Sequence, residues 1–316
     1  MKLIIQIPCY NEENYLAETV LALPKSIEGI DEIETLVVDD GSIDKTVEVA
    51  NWVNVNHIVK LERHQGLAMA FKKGLDAAIK LGADIIVNTD ADNQYCSEDI
   101  QKLIDPIIEG SADVVIGVRP IKDIKYFSPV KKFLQKLGSS FVSFVACTKV
   151  EDAPSGFRAF SKNAAMNLNV FDKYSYTMET ILQAKAKNFE IVSVPVRVNE
   201  KKRESRLINS VFQYIRNSVT TVLRMFLIYK PFKFFGIVAS LLFIFGTLIG
   251  LRYLYFLSNG YGSGHVQSLI LSAILILAGI QTGVIAFLAD LNAINRKLLE
   301  DIQLRLKILE NSKTSD

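Results

Sequence analysis

Two long apolar runs, Phe232 to Leu257 and Val266 to Leu288, restrict this chain more than any other feature. As helices of about 25 residues, each would extend roughly 37 Å, beyond the ~30 Å hydrocarbon core of a bilayer. The first carries charge only near its ends, at Lys233 and Arg252, and Arg252 can reach outwards along its aliphatic stem. Between the runs, Ser258 to His265 is a turn without Lys or Arg. One such run could be a core helix of a soluble protein, but two in succession read as a membrane hairpin.

Flanking residues extend this reading. Ser210 to Tyr229 mixes apolar residues with Arg216 and Arg224 and suits an amphipathic helix at the interface. Basic residues precede the hairpin, and Arg296-Lys297 follow it. The positive-inside rule then places both ends of the hairpin, and all that precedes it, in the cytosol of a multi-pass protein of the cell membrane. Apolar residues at 291, 294, 298, 302, 306 and 309 form a helical stripe in the tail. The expected divisions are a cytosolic domain at 1–206, interfacial helices at 207–230, spans within 231–289 (about 232–257 and 266–288) and a cytosolic helix at 290–316.

The first two-thirds alternate short apolar runs with helical stretches. Strands are expected at Leu3–Ile7, Ile33–Val38, His57–Leu61, Ile85–Asn88, Val114–Val118 and Ile191–Val198. Helices are expected at Asn14–Leu23, Thr46–Trp52 with Ser42 or Asp44 as N-cap, from about Arg63 to Leu81, Leu137–Ala146 and Tyr176–Lys187. Such alternation implies βαβ units and a mainly parallel sheet. A net charge of +2 speaks against a dedicated nucleic-acid binder. The three cysteines, Cys9, Cys96 and Cys147, are far apart and suit a reducing compartment. Met1 runs straight into a strand pattern, with no secretory signal expected.

Within this pattern Ile85 to Tyr95 stands out, because a buried strand ends in Asp90-Ala91-Asp92-Asn93-Gln94. Adjacent carboxylates repel unless a cation lies between them, and Mg²⁺ or Mn²⁺ prefers oxygen ligands and often binds substrate phosphates as well. In parallel sheets the ligand crevice lies outside the carboxyl ends of the strands. The turn after the first strand, Asp39-Asp40 after the second and Asp90-Ala91-Asp92 after the fourth all belong to that rim. Arg119 follows the fifth strand. Arg63 and His64 precede a helix start, where backbone N–H groups favour anions. No His has metal-ligand spacing. Ile121 to Lys136 is basic and is expected to be a loop over the crevice.

Pro8-x-Tyr10-Asn11-Glu12, Asp39-Asp40-Gly41-Ser42-x-Asp44-x-Thr46 and Asp90-x-Asp92 resemble the motifs of inverting GT-A glycosyltransferases. With Gln94 and Ser155-Gly156-Phe157-Arg158 they are similar to the polyprenyl-phosphate hexose synthases, which include dolichol-phosphate mannose synthases. The two-helix tail resembles the bactoprenol glucosyltransferases among them. The resemblance implies an α/β GT-A domain carrying a transmembrane hairpin. It implies an inverting transfer of a hexose, glucose from UDP-glucose first, onto polyprenyl phosphate. A mannosyl or amino-sugar donor is the alternative, and a non-catalytic nucleotide-sugar-binding subunit is the reading from another class.

Residue by residue, the resemblance implies that Pro8, Tyr10, Glu12 and Asp39 or Asp40 line the base and ribose, with Asp90 and Ala91 along the nucleotide sugar. Asp92 and Gln94 would ligate Mg²⁺ or Mn²⁺. Arg119 would contact phosphate, and Asp152 matches a family acidic position. Asp152 would orient a cation or the acceptor, or take a proton from it. The stretch Glu200 to Arg206 departs from the family pattern, so Lys201 or Lys202, with Arg206, would complete the acceptor-phosphate clamp. A homo-oligomer is also implied.

Overall fold

A computed structural model of the chain describes residues 1–121, 129–146, 148–170, 176–199, 220, 223–224, 226–261 and 265–313. Contacts divide it into two units, residues 1–222 with 303–316, and residues 223–302.

The first unit is built on a seven-stranded sheet. Its strands are β1 (Lys2–Cys9), β2 (Glu32–Asp39), β3 (His57–Lys60), β4 (Ile85–Asn88), β5 (Val114–Val118), β6 (Arg158–Ser161) and β7 (Ile191–Pro195). The spatial order is β3-β2-β1-β4-β6-β5-β7. All pairings are parallel except those of β6, which runs antiparallel between β4 and β5. The helices of this unit are α1 (Leu16–Leu21), α2 (Thr46–Trp52), α3 (Leu67–Lys80), α4 (Ile100–Ile108), α5 (Pro129–Ala146), α6 (Lys162–Asn167) and α7 (Tyr176–Ala186).

Burial explains the order of the strands. β1 is buried along nearly its whole length and β4 throughout, as expected of central strands covered on both faces. One core cluster joins Leu3, Ile5, Ile85, Val87, Leu103, Val115 and Phe157, so α4 covers the middle of the sheet. Strand order turns outwards in both directions from β1 and β4. The crevice at such a switch point opens at the carboxyl ends of β1, β2 and β4.

Several sequence expectations need correction. β6 was not anticipated: Glu151 to Arg158 reads as a loop because a charged Arg opens a strand of only four residues. α5 begins at Pro129, so part of the basic stretch up to Lys136 is helical rather than loop. The boundary residue of α2 is Lys45, with no side-chain cap. Asp44 instead accepts the Thr46 N–H at 3.0 Å, and Ser42 Oγ accepts the Asn11 N–H at 2.9 Å. β7 ends at Pro195, and Val198 only bridges to Tyr95.

The second unit is a helical hairpin. α8 (Pro231–Ser258) and α9 (Val266–Lys313) are both long and apolar enough to cross a membrane. α9 continues without a break into the tail, where a separate helix from Asp290 was expected. Most large apolar side chains of both helices are exposed, among them Phe245, Leu254, Leu277 and Phe287. That surface suits lipid. Between the helices the contacts are small: Ser272 Oγ donates to the Gly246 carbonyl at 2.8 Å. A Cβ at Gly246 would come within 2.8 Å of Ile276 and one at Gly279 within 3.1 Å of the Ala239 carbonyl. Small residues let apolar helices approach where no hydrophobic force drives them together. Gly246→Leu is therefore expected to force the helices apart at a cost of about 1–3 kcal/mol. Gly236→Leu, with nothing within 4 Å of its Cβ, should cost far less. Heating both variants in detergent and measuring the monodisperse fraction that survives checks this. Equal losses would refute the packing account.

Candidate active site

One side of the rim is made by two loops laced together. After β1, Asn11 adopts a left-handed conformation (φ 54°) and its Oδ1 accepts the Ile43 N–H. The Glu12 N–H donates to Thr46 Oγ1 at 2.8 Å, and the Glu13 N–H to Asp44. Pro8 and Glu12 are buried. Asp39 is fully buried at the end of β2 and accepts the Ser42 N–H at 3.2 Å. Gly41 turns with φ 71°, and a Cβ there would lie 2.7 Å from the Arg63 carbonyl carbon. Only glycine lets these two loops meet so closely.

Asp40 faces the start of α3. Its Oδ1 accepts the Gln65 N–H and its Oδ2 the Gly66 N–H, each at 2.8 Å. The His64 Nδ1 lies 2.8 Å from the same Oδ2, and the His64 ring stacks on Tyr10 with centroids 3.9 Å apart. Sequence reasoning left His64 open between a surface and a site role; the structure places it beside Tyr10 and Asp40.

The centre of the rim rests on polar groups beneath it. Gln6 Nε2 donates to Asn88 Oδ1, and Asn88 Nδ2 donates to the Gly156 carbonyl at 2.8 Å and to the Tyr176 hydroxyl at 3.0 Å. The Gly156 N–H donates to the Tyr95 hydroxyl. A Cβ at Gly156 would come within 2.9 Å of Asp90 Oδ1, so the Asp90 carboxylate lies directly against this glycine. Burial pushes the Tyr95 and Tyr176 hydroxyls well above the ordinary phenol range, so both stay neutral. Thr19 Oγ1 donates to the Ala91 carbonyl, Asn93 is left-handed (φ 51°) and Asp92 accepts the Gln94 N–H. Asp92 and Gln94 thus stand in a tight, partly exposed turn that offers hard oxygen donors, which fits Mg²⁺ or Mn²⁺. Among the described residues no three His, Cys, Asp or Glu side chains converge as a metal cage.

The far side of the rim is an ion pair. Arg119 donates to Asp152 from Nε at 2.7 Å, from Nη2 at 2.9 Å and from its backbone N–H at 3.2 Å. Gln135 Nε2, from α5, adds a further bond to Asp152 Oδ1. Asp152 is fully buried, and the Arg119 side chain is 10% exposed. Burial opposes the charge of Arg119, but the Asp152 carboxylate, through its charge and its hydrogen bonds, raises its proton affinity above the ordinary guanidinium value. Arg158, named only as part of a motif, is entirely buried beneath the same loop. It donates to the carbonyls of Ala153, Ser155 and Thr177 and to Thr180 Oγ1. Burial lowers its pKa to about 10.

The structure therefore brings Pro8, Tyr10, Glu12, Asp39, Asp40, Asp90, Ala91, Asp92, Gln94, Arg119 and Asp152 to one edge of the sheet. Lys201 and Arg206 lie outside the described residues. Sequence reasoning missed Asn88, Gln135 and the bracing by Arg158. A signal existed for Gln135: with Ser139 and Ser143 it forms a polar stripe at four-residue spacing along the helix.

Comparison with known proteins agrees with this geometry. The family model described as "Glycosyl transferase family 2" matches residues 4–168. The chain is 35% identical over 213 residues to a UDP-N-acetylglucosamine–dolichyl-phosphate N-acetylglucosaminyltransferase of Methanococcus voltae, covering 60% of this chain and 83% of that one. It is 33% identical over 228 residues to a dolichol-phosphate mannosyltransferase of Pyrococcus furiosus, covering 69% of this chain and 62% of that one. In structure it resembles glucosyl-3-phosphoglycerate synthase of Mycobacterium tuberculosis, crystallised with Mn²⁺ and UDP (TM-score 0.53, 18% identity, 72% of this chain and 78% of the other). With more than half its length matched and a relative above 30% identity, the chain belongs to glycosyl transferase family 2 and has the GT-A fold.

Proposed function

We propose that this glycosyltransferase moves a hexose from a nucleotide-diphosphate sugar onto a polyprenyl phosphate, with inversion, at a membrane surface. The observation that carries the reading is the engagement of Asp152. Both its oxygens accept hydrogen bonds from Arg119, and one also from Gln135. A hydroxyl acceptor needs a base, because its proton must leave during attack. A phosphate monoester, with a second pKa of about 6, is largely dianionic at neutral pH and needs positive charge instead. Asp152 holding a guanidinium suits the second demand. Since Asp152 takes Nε and Nη2 of Arg119, Nη1 is the end left to meet a phosphate oxygen.

The acceptor's lipid class is supported by the two apolar helices and by the names of the relatives. On this reading the hairpin crosses the cell membrane twice, with the catalytic unit and both termini in the cytosol. The exposed stripe on α9 suits pairing with a second copy. No nucleic-acid partner is proposed. For the donor, the resemblance pointed to UDP-glucose, whereas the relatives' names give N-acetylglucosamine and mannose. UDP-N-acetylglucosamine is thus the donor to test first, with UDP-glucose and GDP-mannose beside it. Tyr10, His64 and the Asp39-Asp40 loop would hold the nucleoside, with Asp90 and Ala91 along the sugar diphosphate. Asp92 and Gln94 would hold Mg²⁺ or Mn²⁺, which supplies positive charge for the leaving diphosphate. Transfer of radiolabelled sugar to polyprenyl phosphate by washed membranes tests the whole reading, and a binding-only protein would show none.

Asp92→Ala should abolish transfer and remove the metal dependence of UDP binding. Titration of UDP with and without Mn²⁺ checks this, and an unchanged metal effect would sink the assignment. Asp152→Asn should keep nucleotide binding and lose at least about 100-fold in turnover, in keeping with ~3 kcal/mol for breaking one side of a buried pair. Its residual rate should rise between pH 5.5 and 8 as the acceptor loses its second proton near pH ~6. Arg119→Ala should chiefly raise the acceptor KM. A flat, inactive pH profile for Asp152→Asn with normal acceptor binding would instead mark Asp152 as an obligatory base.

A further inference from the structure

Gln135 is 5% exposed and stands on the face of α5 that grips the acidic loop. Ser139 Oγ, one turn on, accepts the Ala153 N–H at 3.1 Å, and Ser143 Oγ accepts the Val150 N–H at 3.0 Å. Gln135 Nε2 completes the ladder by donating to Asp152 Oδ1 at 3.2 Å. A carboxylate only accepts, so the amide orientation follows from its partner: nitrogen on Asp152, oxygen turned away. That oxygen is buried and has no hydrogen-bond partner among the described residues. A buried acceptor without a donor is costly and rare in native proteins.

The missing partner must donate a hydrogen bond. A phosphate dianion offers only acceptors and is excluded. Within the reaction proposed above, the group that brings several hydroxyls to Asp152 and Arg119 is the hexose being transferred. We propose that Gln135 is a specificity-determining residue for the donor sugar: its Oε1 accepts a hydrogen bond from one hexose hydroxyl while its Nε2 keeps Asp152 on Arg119. This inference rests on the sugar-transfer reading and deepens it.

The test uses the full-length enzyme in nanodiscs containing polyprenyl phosphate. The parent donor is whichever of UDP-N-acetylglucosamine, UDP-glucose and GDP-mannose is turned over, and it is compared with its monodeoxy counterparts. In the unaltered enzyme, one deoxy donor should lose about 10- to 100-fold in kcat/KM, as expected when a buried acceptor loses its donor. In Gln135→Met that parent-to-deoxy ratio should collapse towards one, while the ratios for the other deoxy donors stay as they were. If Gln135→Met no longer binds UDP, Gln135→Asn carries the same comparison, since it keeps the amide and withdraws it by one methylene. A uniform fall for every donor would overturn the proposal, because Gln135 would then act only through Asp152. Unchanged ratios would overturn it too and leave a bound water as the partner of Oε1. Failure of the unaltered enzyme to use any parent donor would overturn the sugar-transfer reading itself, and this inference with it.

Discussion

Arg158 brings a full positive charge into a place closed to bulk solvent, and the acidic loop takes its shape from that constraint. A buried guanidinium is costly unless its donors are met. Among the described residues no carboxylate is paired with it; the loop supplies the carbonyls of Ala153 and Ser155 instead, and α7 supplies the Thr177 carbonyl and Thr180 Oγ1. To place those carbonyls the chain must curl tightly between Asp152 and Arg158. The curl turns the Gly156 carbonyl towards Asn88 and the Gly156 N–H towards Tyr95. It also seats Asp152 against Arg119. One buried cation thus organises the loop that positions a second, partly accessible one.

The two cations differ in their partners. Arg158 meets neutral acceptors, so burial dominates and lowers its pKa to about 10, which still leaves it protonated at neutral pH. Arg119 meets a carboxylate in bidentate geometry, and its proton affinity rises. Such a division suits a bracing residue and a working one. α5 contributes to the same loop from the other side through Gln135, Ser139 and Ser143, so the basic helix and the ion pair are mechanically joined.

The sheet was largely legible in the sequence because its strands are short apolar runs bounded by Asp, Gly and Asn, and the rim followed from where those runs end. Asp90, Asp92, Asp39 and Asp40 could be placed on it without coordinates. β6 could not, since four residues opening with a buried Arg carry no strand period. The partner of Asp152 was equally hidden. Arg119 and Asp152 are 33 positions apart, and only the insertion of β6 beside β5 brings them together. The continuity of α9 escaped because Arg296-Lys297 and the polar residues around them read as a boundary, although nothing there breaks a helix. The clamp near Lys201 and Arg206 stays a sequence reading, since those residues lie outside the described part.

Electrostatics explains why a rim so rich in acids also needs Arg119. On the proposed reading a phosphate dianion must approach a nucleotide diphosphate of similar charge. Two such dianions about 6 Å apart would repel by roughly 11 kcal/mol at an effective dielectric of ~20. Asp90 and Asp92 would add to that repulsion if they acted alone. On that reading a divalent cation at Asp92 and Gln94 would offset part of that charge on the donor side, and a guanidinium fixed by Asp152 would do so on the acceptor side. Lysine could supply the same charge, but not a planar fork that a carboxylate can lock from one edge while the other stays open to phosphate. On the proposed reading the buried Asp152 is less a source of negative charge for chemistry than the means by which a positive one keeps its direction.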